Sequence, residues 1–145
     1  MSPIRRFDHV GITVANLDAV TDFFVGLGFE IDGRTVLEGD FLDTVVGLPD
    51  ACTEMVYLRA PDGGTALELA TFIRPNNAPG SPDAMHNELG LRSVAFEVDR
   101  LLDLVDQLEA DGYQLVGGVA EHEGVWRMAS VRGPEGIIVS LAERL

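Results

Sequence analysis

The stretch "FDHVGITVANLDAVTDFF", residues 7–24, decides the fold because its pattern occurs twice in the chain. The second copy, "LRSVAFEVDRLLDLVDQL", covers residues 91–108, at an offset of 84 residues. Each copy begins with alternating apolar residues, which indicate a half-buried strand, and continues with the apolar spacing of an amphipathic helix. Gly28 and Gly112 follow the two helices, at the position where glycine in a left-handed conformation ends a helix. The sequence therefore predicts one structural unit used twice.

Strand signals follow each predicted helix, so each half is predicted to be a βαβββ module. The signals are "ACTEMVYLRA" (51–60), a "PDGG" turn and "TALELATF" (65–72) in the first half, then "VWRMASVRG" (125–133), a "PEG" turn and "IIVSLAERL" (137–145) in the second. The first half also carries "LEGDFLDTVVGLPD" (37–50), which we interpret as a loop or a short helix.

These elements predict an α+β fold in which two tandem βαβββ modules form an open, cup-shaped β-sheet with helices on the convex side. We expect a single domain over residues 1–145, with module 1 at about 5–73, a linker rich in Pro, Asn and Gly at about 74–89, and module 2 at about 90–145. Strand alternation then places His9, Thr13, Glu68, Ser93, Glu97 and Ser140 on the concave side.

Composition excludes several classes of partner. The net charge of −14 is spread along the chain and disfavours nucleic acid and anionic lipid surfaces, whereas it is compatible with neutral or cationic small ligands. The sequence contains no apolar run long enough for a membrane span and no secretory signal pattern, so we expect a cytoplasmic protein. The single cysteine, Cys52, provides neither an internal disulfide nor a zinc cluster.

The motifs "DHVGITV", "ALELA", "GLRSVAFEVD" and "GPEGIIVSLAE" resemble, in order and spacing, those of the vicinal oxygen chelate superfamily. This superfamily includes glyoxalase I, methylmalonyl-CoA epimerase, extradiol dioxygenases and bleomycin-resistance proteins. The resemblance covers nearly the whole chain and implies the paired-module fold, a small-molecule ligand in the cup and a homodimer.

The resemblance also implies positions for a divalent metal, two of which depart from the family pattern. Catalytic members hold the metal with His or Gln and Glu side chains, and the corresponding positions here are His9, Glu68, Ser93 and Ser140. Serine hydroxyls are poor ligands for such a metal. We therefore expect no tightly bound metal, although His9 and Glu68 would be its ligands if one were bound. Alternatively, His9 and Glu68 form only a buried hydrogen-bonded pair inherited from a metal-binding ancestor.

Further candidates come from their predicted place on the strands. Met55 and Tyr57 share one strand face, and Trp126 and Met128 share another, where they either pack in the core or contact a planar ligand. Other donors near a rebuilt site would be Glu97, or His122 together with Glu121. The full set of candidate ligand-binding residues is Thr13, Met55, Tyr57, Ser93, Glu97, His122, Trp126, Met128 and Ser140, with His9 and Glu68 as candidate catalytic residues.

Three functions remain open on the sequence. The first is a bleomycin-resistance-like protein that binds a small aromatic or drug-like molecule without a tightly bound metal, for antibiotic or metabolite sequestration. The second is a lyase, isomerase, epimerase or dioxygenase of the same superfamily that uses Glu68 as a base and His9 to orient it, with or without a divalent metal. The third is a structural or regulatory module whose cup is filled by its own side chains.

Overall fold

The computed structural model describes residues 2–145 and divides into two compact units, one ending at Pro79 and the other beginning at Gly80. Unit 1 contains the strands β1 (His9–Thr13), β2 (Glu30–Glu38), β3 (Cys52–Arg59) and β4 (Ala66–Arg74), with the helices α1 (Leu17–Gly26) and α2 (Asp40–Val46). Unit 2 contains β5 (Ser93–Glu97), α3 (Leu101–Ala110), β6 (Gln114–Leu115), β7 (Ala120–His122), β8 (Trp126–Arg132) and β9 (Ile138–Arg144), with a 3₁₀ turn at Pro134–Gly136.

The two units repeat one sheet topology. In unit 1 the strand order is β1-β4-β3-β2, and in unit 2 it is β5-β9-β8-β6 with β7 also paired to β8. The first and last strands of each unit run parallel, β1 with β4 and β5 with β9, while the neighbouring pairs are antiparallel. The predicted α+β fold of two βαβββ modules is confirmed, with the second strand of unit 2 divided into β6 and β7.

The helix ends follow the sequence signals. Asn16 caps α1 by accepting a hydrogen bond from the Ala19 amide at 3.0 Å. At the other end, the Phe29 amide donates to the Phe24 carbonyl around Gly28, whose φ of +113° requires glycine. The Tyr113 amide closes α3 in the same way around Gly112. The extra segment of the first half forms the short helix α2, one of its two predicted forms.

Each sheet buries one face. In unit 1, α1 packs on β3 and β4, where Val56, Leu58 and Leu69 are fully buried. The opposite face of β1 and β4 carries His9 and Glu68, and we call this the site face of unit 1. In unit 2, Val131, Val139 and Leu141 form the buried side, while the alternate residues of β5 are exposed. Ile138 has the parity of Ser140 and so lies on the same side of β9, but it is fully buried.

Candidate functional site

The site face of unit 1 brings together the residues predicted from strand alternation. The pairing of β1 with β4 and of β4 with β3 sets Gly11, Glu68 and Tyr57 in one row across the sheet. Thr13, Ala70 and Met55 form the next row. Because register partners point to the same side of a sheet, His9, Thr13, Met55, Tyr57 and Glu68 share one surface.

His9 and Glu68 lie close together, but they are not a buried hydrogen-bonded pair. The His9 Nε2 and Glu68 Oε2 atoms are 3.6 Å apart, which is longer than a hydrogen bond. The two side chains keep 36% and 27% of their surface exposed. The interpretation of the pair as a buried structural remnant is therefore wrong in its geometry.

The short contact of His9 is with Asp8, a residue that strand alternation did not select. The His9 Nδ1 atom lies 2.7 Å from Asp8 Oδ2. The Tyr57 hydroxyl donates to the same oxygen at 3.0 Å, and Arg6 Nη2 donates to Oδ1 at 2.9 Å. The rings of Tyr57 and His9 also meet edge to face, with centroids 5.8 Å apart. The structure thus adds Asp8 to the predicted site and ties Tyr57 to it.

The electrostatics of this cluster keep the Asp8 carboxylate charged. Its hydrogen bond from His9, then that from Tyr57 and the nearby Arg6 charge, hold the pKa of Asp8 below its ordinary value. Partial burial raises the pKa of the Tyr57 hydroxyl, and the neighbouring Asp8 carboxylate raises it further. At neutral pH, Asp8 is therefore an acceptor and Tyr57 a donor.

A cavity of about 460 Å³ lies beside this cluster within unit 1. Asp8, Tyr57 and Ala66 line it, and Ala66 is the register partner of His9. Arg59 and Asp32 form another part of the wall and contact each other at 3.2 Å. The cavity volume falls within the range of small-molecule sites.

In unit 2, the sheet face that corresponds to the site face of unit 1 carries five of the remaining candidate ligand-binding residues. Strand pairing sets Ala95, Ser140 and Ser130 in one row, and Glu97, Ala142 and Met128 in the next. The list of candidates on this face is Ser93, Glu97, Trp126, Met128 and Ser140.

Trp126 is outside the core of unit 2. It is half-buried, its alternation partner Met128 is exposed, and the Arg144 guanidinium lies 4.8 Å from its ring centroid. His122 pairs with Trp126 in the β-ladder and keeps 74% of its side chain exposed, 3.8 Å from the Glu123 carboxylate. Trp126 therefore lies outside the core with part of its ring accessible, and His122 lies at the surface.

The donor set does not fit the divalent metal of the family. Of the four expected positions, Ser93 and Ser140 offer only hydroxyls, and the Ser140 Oγ is already hydrogen-bonded to Ser130 at 3.0 Å. Residues 2–145 contain no group of three or more His, Cys, Asp or Glu side chains placed to hold a metal ion. His9 and Glu68 alone are too few firm ligands for a catalytic metal site.

Comparison with known proteins establishes the family. The chain belongs to the glyoxalase/bleomycin resistance protein/dioxygenase superfamily, whose model matches residues 6–141. No curated protein matches the chain. Among solved structures, a glyoxalase family protein from Bacillus cereus is similar, with 35% identity, coverage of 99% of this chain and 97% of that one, and a TM-score of 0.95.

More distant structures share the fold. Trypanothione-dependent glyoxalase I of Leishmania major is 20% identical, with coverage of 97% of this chain and 87% of that chain and a TM-score of 0.67. A glyoxylase/bleomycin resistance protein/dioxygenase domain from Frankia is 19% identical over 100% of this chain and 99% of that chain, with a TM-score of 0.64.

Across residues 2–145, each helix is too short or too polar to cross a membrane.

Proposed function

We propose that this protein binds a small aromatic or drug-like molecule at the site face of unit 1 without a tightly bound metal, and so sequesters an antibiotic or a metabolite. The observation that carries the proposal is the partly exposed surface on which His9 and Glu68 lie beside Tyr57 and Met55. The small residues Gly11 and Ala70 on the same face leave room for a ligand. Membership of the superfamily is consistent with this use of the fold.

The charges on this face favour a ligand that is neutral or cationic. Asp8 and Glu68 are both acceptors, and the Arg6 guanidinium is already paired with Asp8. The whole chain adds a net charge of −14, which attracts cations and repels anions at long range. The proposal also includes a cytoplasmic location and a homodimer, and light scattering on the purified protein measures the latter.

Calorimetric titration with a panel of aromatic drugs and metabolites, grouped by charge, tests the proposal. A neutral or cationic aromatic ligand should bind, and Met55→Ala should weaken it more than tenfold because the apolar contact is lost. Leu102→Ala is the matched control, since Leu102 is an exposed apolar residue on helix α3. Binding of anionic compounds alone, or equal effects of the two variants, would contradict the proposed site.

His9→Ala and Glu68→Gln measure how much the polar side chains contribute to ligand affinity. If the ligand is held mainly by apolar and aromatic contacts, we expect both variants to change affinity by less than about tenfold, or ~1.4 kcal/mol. A larger loss in either variant would show that polar contacts dominate the affinity.

Thermal unfolding with added Ni, Zn, Fe or Mn tests the proposal that the protein has no tightly bound metal. A tightly bound metal stabilises the fold by roughly 2.7 kcal/mol at a hundredfold excess over its dissociation constant. We expect less than stoichiometric metal in the purified protein and little stabilisation on addition. A saturable shift of that size with one metal, abolished by Glu68→Ala, would refute metal-free binding.

A second candidate function is metal-free proton transfer, as in an isomerase, epimerase or lyase. The Asp8–His9–Glu68 arrangement specifically favours it, because a carboxylate beside an oriented histidine is a suitable general base. In this mechanism Glu68 removes a proton next to a carbonyl group, and His9, which Asp8 orients, lies beside the carboxylate. Deuterium uptake by a bound carbonyl compound in heavy water, abolished in Glu68→Gln at unchanged melting temperature, would support catalysis over sequestration.

A further inference from the structure

We infer that Asp8 and Tyr57 are positioning residues that hold His9 in a single tautomer, with its proton on Nδ1 and an acceptor at Nε2. The inference rests on the proposed function insofar as His9 belongs to the ligand site. It concerns two residues that act through His9.

The proton between Asp8 and His9 belongs to the imidazole. Asp8 already accepts hydrogen bonds from the Arg6 guanidinium and the Tyr57 hydroxyl, and an ionised carboxylate has no proton to donate. The 2.7 Å contact between Asp8 Oδ2 and His9 Nδ1 is therefore a hydrogen bond in which Nδ1 is the donor. In a neutral imidazole the proton is then absent from Nε2.

Tyr57 restrains the geometry of the Asp8–His9 pair. Tyr57 comes from β3, and its hydroxyl reaches Asp8, which directly precedes β1. This bond fixes the Asp8 carboxylate across two strands that are not neighbours in the sheet, because β4 lies between them. The edge-to-face contact of the Tyr57 and His9 rings restricts the imidazole as well. One tyrosine thus restrains both members of the Asp8–His9 pair.

The consequence appears at the other side of the imidazole. In the tautomer with its proton on Nδ1, the imidazole Nε2 is an acceptor, as are carboxylate oxygens, so His9 and Glu68 do not hydrogen-bond to each other across their 3.6 Å separation. A ligand that carries an N–H or O–H group can satisfy both atoms. The fixed tautomer therefore makes this part of the site face an acceptor surface.

Long-range ¹H–¹⁵N correlation spectra of the histidine rings test the inference on the whole, ligand-free chain. The sequence has three histidines, and the His9 signals are assigned by their loss in His9→Gln. At about pH 9, where histidine is ordinarily neutral, wild-type His9 should show a protonated Nδ1 and an unprotonated Nε2. In Asp8→Asn this preference should be lost, because an amide can either donate or accept.

Two further variants make the result specific. Tyr57→Phe keeps the ring and removes the hydroxyl, and we expect a mixture of tautomers as Asp8 becomes free to turn. Asp32→Asn is the matched control, since Asp32 lies on the same cavity wall but pairs with Arg59, and it should leave the His9 signals unchanged. A protonated Nε2 in the wild type, an unchanged tautomer in Asp8→Asn or Tyr57→Phe, or an equal effect of Asp32→Asn would overturn the inference.

These spectra require no ligand, so the inference and the proposed function fail separately. If no aromatic compound binds while His9 keeps the Nδ1 proton only in the presence of Asp8 and Tyr57, the binding proposal is wrong and the positioning role stands. If a ligand binds while the tautomer is mixed in the wild type, the positioning role is wrong.

Discussion

Leu69→Ala and Glu68→Gln change adjacent residues of β4 that point to opposite faces of the sheet. We expect a large loss of stability from the first variant and a small loss from the second. Leu69 is fully buried, so its truncation removes apolar contacts and leaves a cavity, at a cost of about 2–5 kcal/mol. Glu68 keeps 27% of its side chain exposed and faces His9 at 3.6 Å, a partly solvated pair that contributes about 0–1 kcal/mol. The core variant should therefore lose several times more stability than the site variant.

Urea denaturation followed by far-ultraviolet circular dichroism measures both free energies of unfolding. Thermal unfolding should agree, with the melting temperature of Leu69→Ala lowered by roughly 4–20 °C. Leu69→Met is the control, because a volume-conserving change in the core costs less than about 1.5 kcal/mol. If Glu68→Gln destabilised the protein as much as Leu69→Ala, the site face would be part of the core and our assignment of the two faces would be refuted.

Two further predictions concern the backbone and the response to acid. Gly136 and Gly112 both have positive φ, so alanine at either costs roughly 1–2 kcal/mol, but only at Gly136 would the new Cβ clash with a backbone atom, the Pro82 carbonyl oxygen. Urea denaturation should show Gly136→Ala as the more damaging, and equal losses would contradict the clash. The hydrogen bond from Arg74 lowers the pKa of Glu38, so this carboxylate stabilises the fold above its ordinary pKa of about 4.3 and the stabilisation is lost as pH falls through the lowered value. The difference in melting temperature between wild type and Glu38→Gln should therefore shrink from pH 7 to pH 3, and a constant difference would refute the linkage.

Most of the fold was predictable because the decisive signals are local and occur twice. Alternation in residues 9–14 and 93–98 and the glycines after α1 and α3 identify the strand–helix unit without any tertiary information. The division of the second strand in unit 2 has a local cause as well. Gly117 and Gly118 lie between β6 and β7, and glycine weakens a strand interior.

The placement of site residues on a face was predictable, but their contacts were not. Alternation correctly grouped His9 with Glu68 and Met55 with Tyr57, because side-chain direction in a strand depends only on parity. The 3.6 Å gap between His9 and Glu68 depends on side-chain rotamers and on competing partners. For Ile138, parity predicts the side of the strand on which the side chain lies, but its burial depends on packing, which alternation does not predict.

Asp8 was missed because the parity rule does not apply where a strand begins. Counted back from His9, residue 8 belongs to the buried face, and a carboxylate there would be expected to turn away from the site. The structure starts β1 at His9, so Asp8 lies just before the strand, and its side chain reaches the imidazole of the next residue. Asp8 is identified by its position next to a histidine at the start of a strand and by its hydrogen bond from a tyrosine on another strand of the same sheet. This signal is absent from the sequence, because only the tertiary fold brings Tyr57 to Asp8. Residues just outside predicted strand ends therefore belong among the candidates whenever the first residue of the strand is itself a site residue.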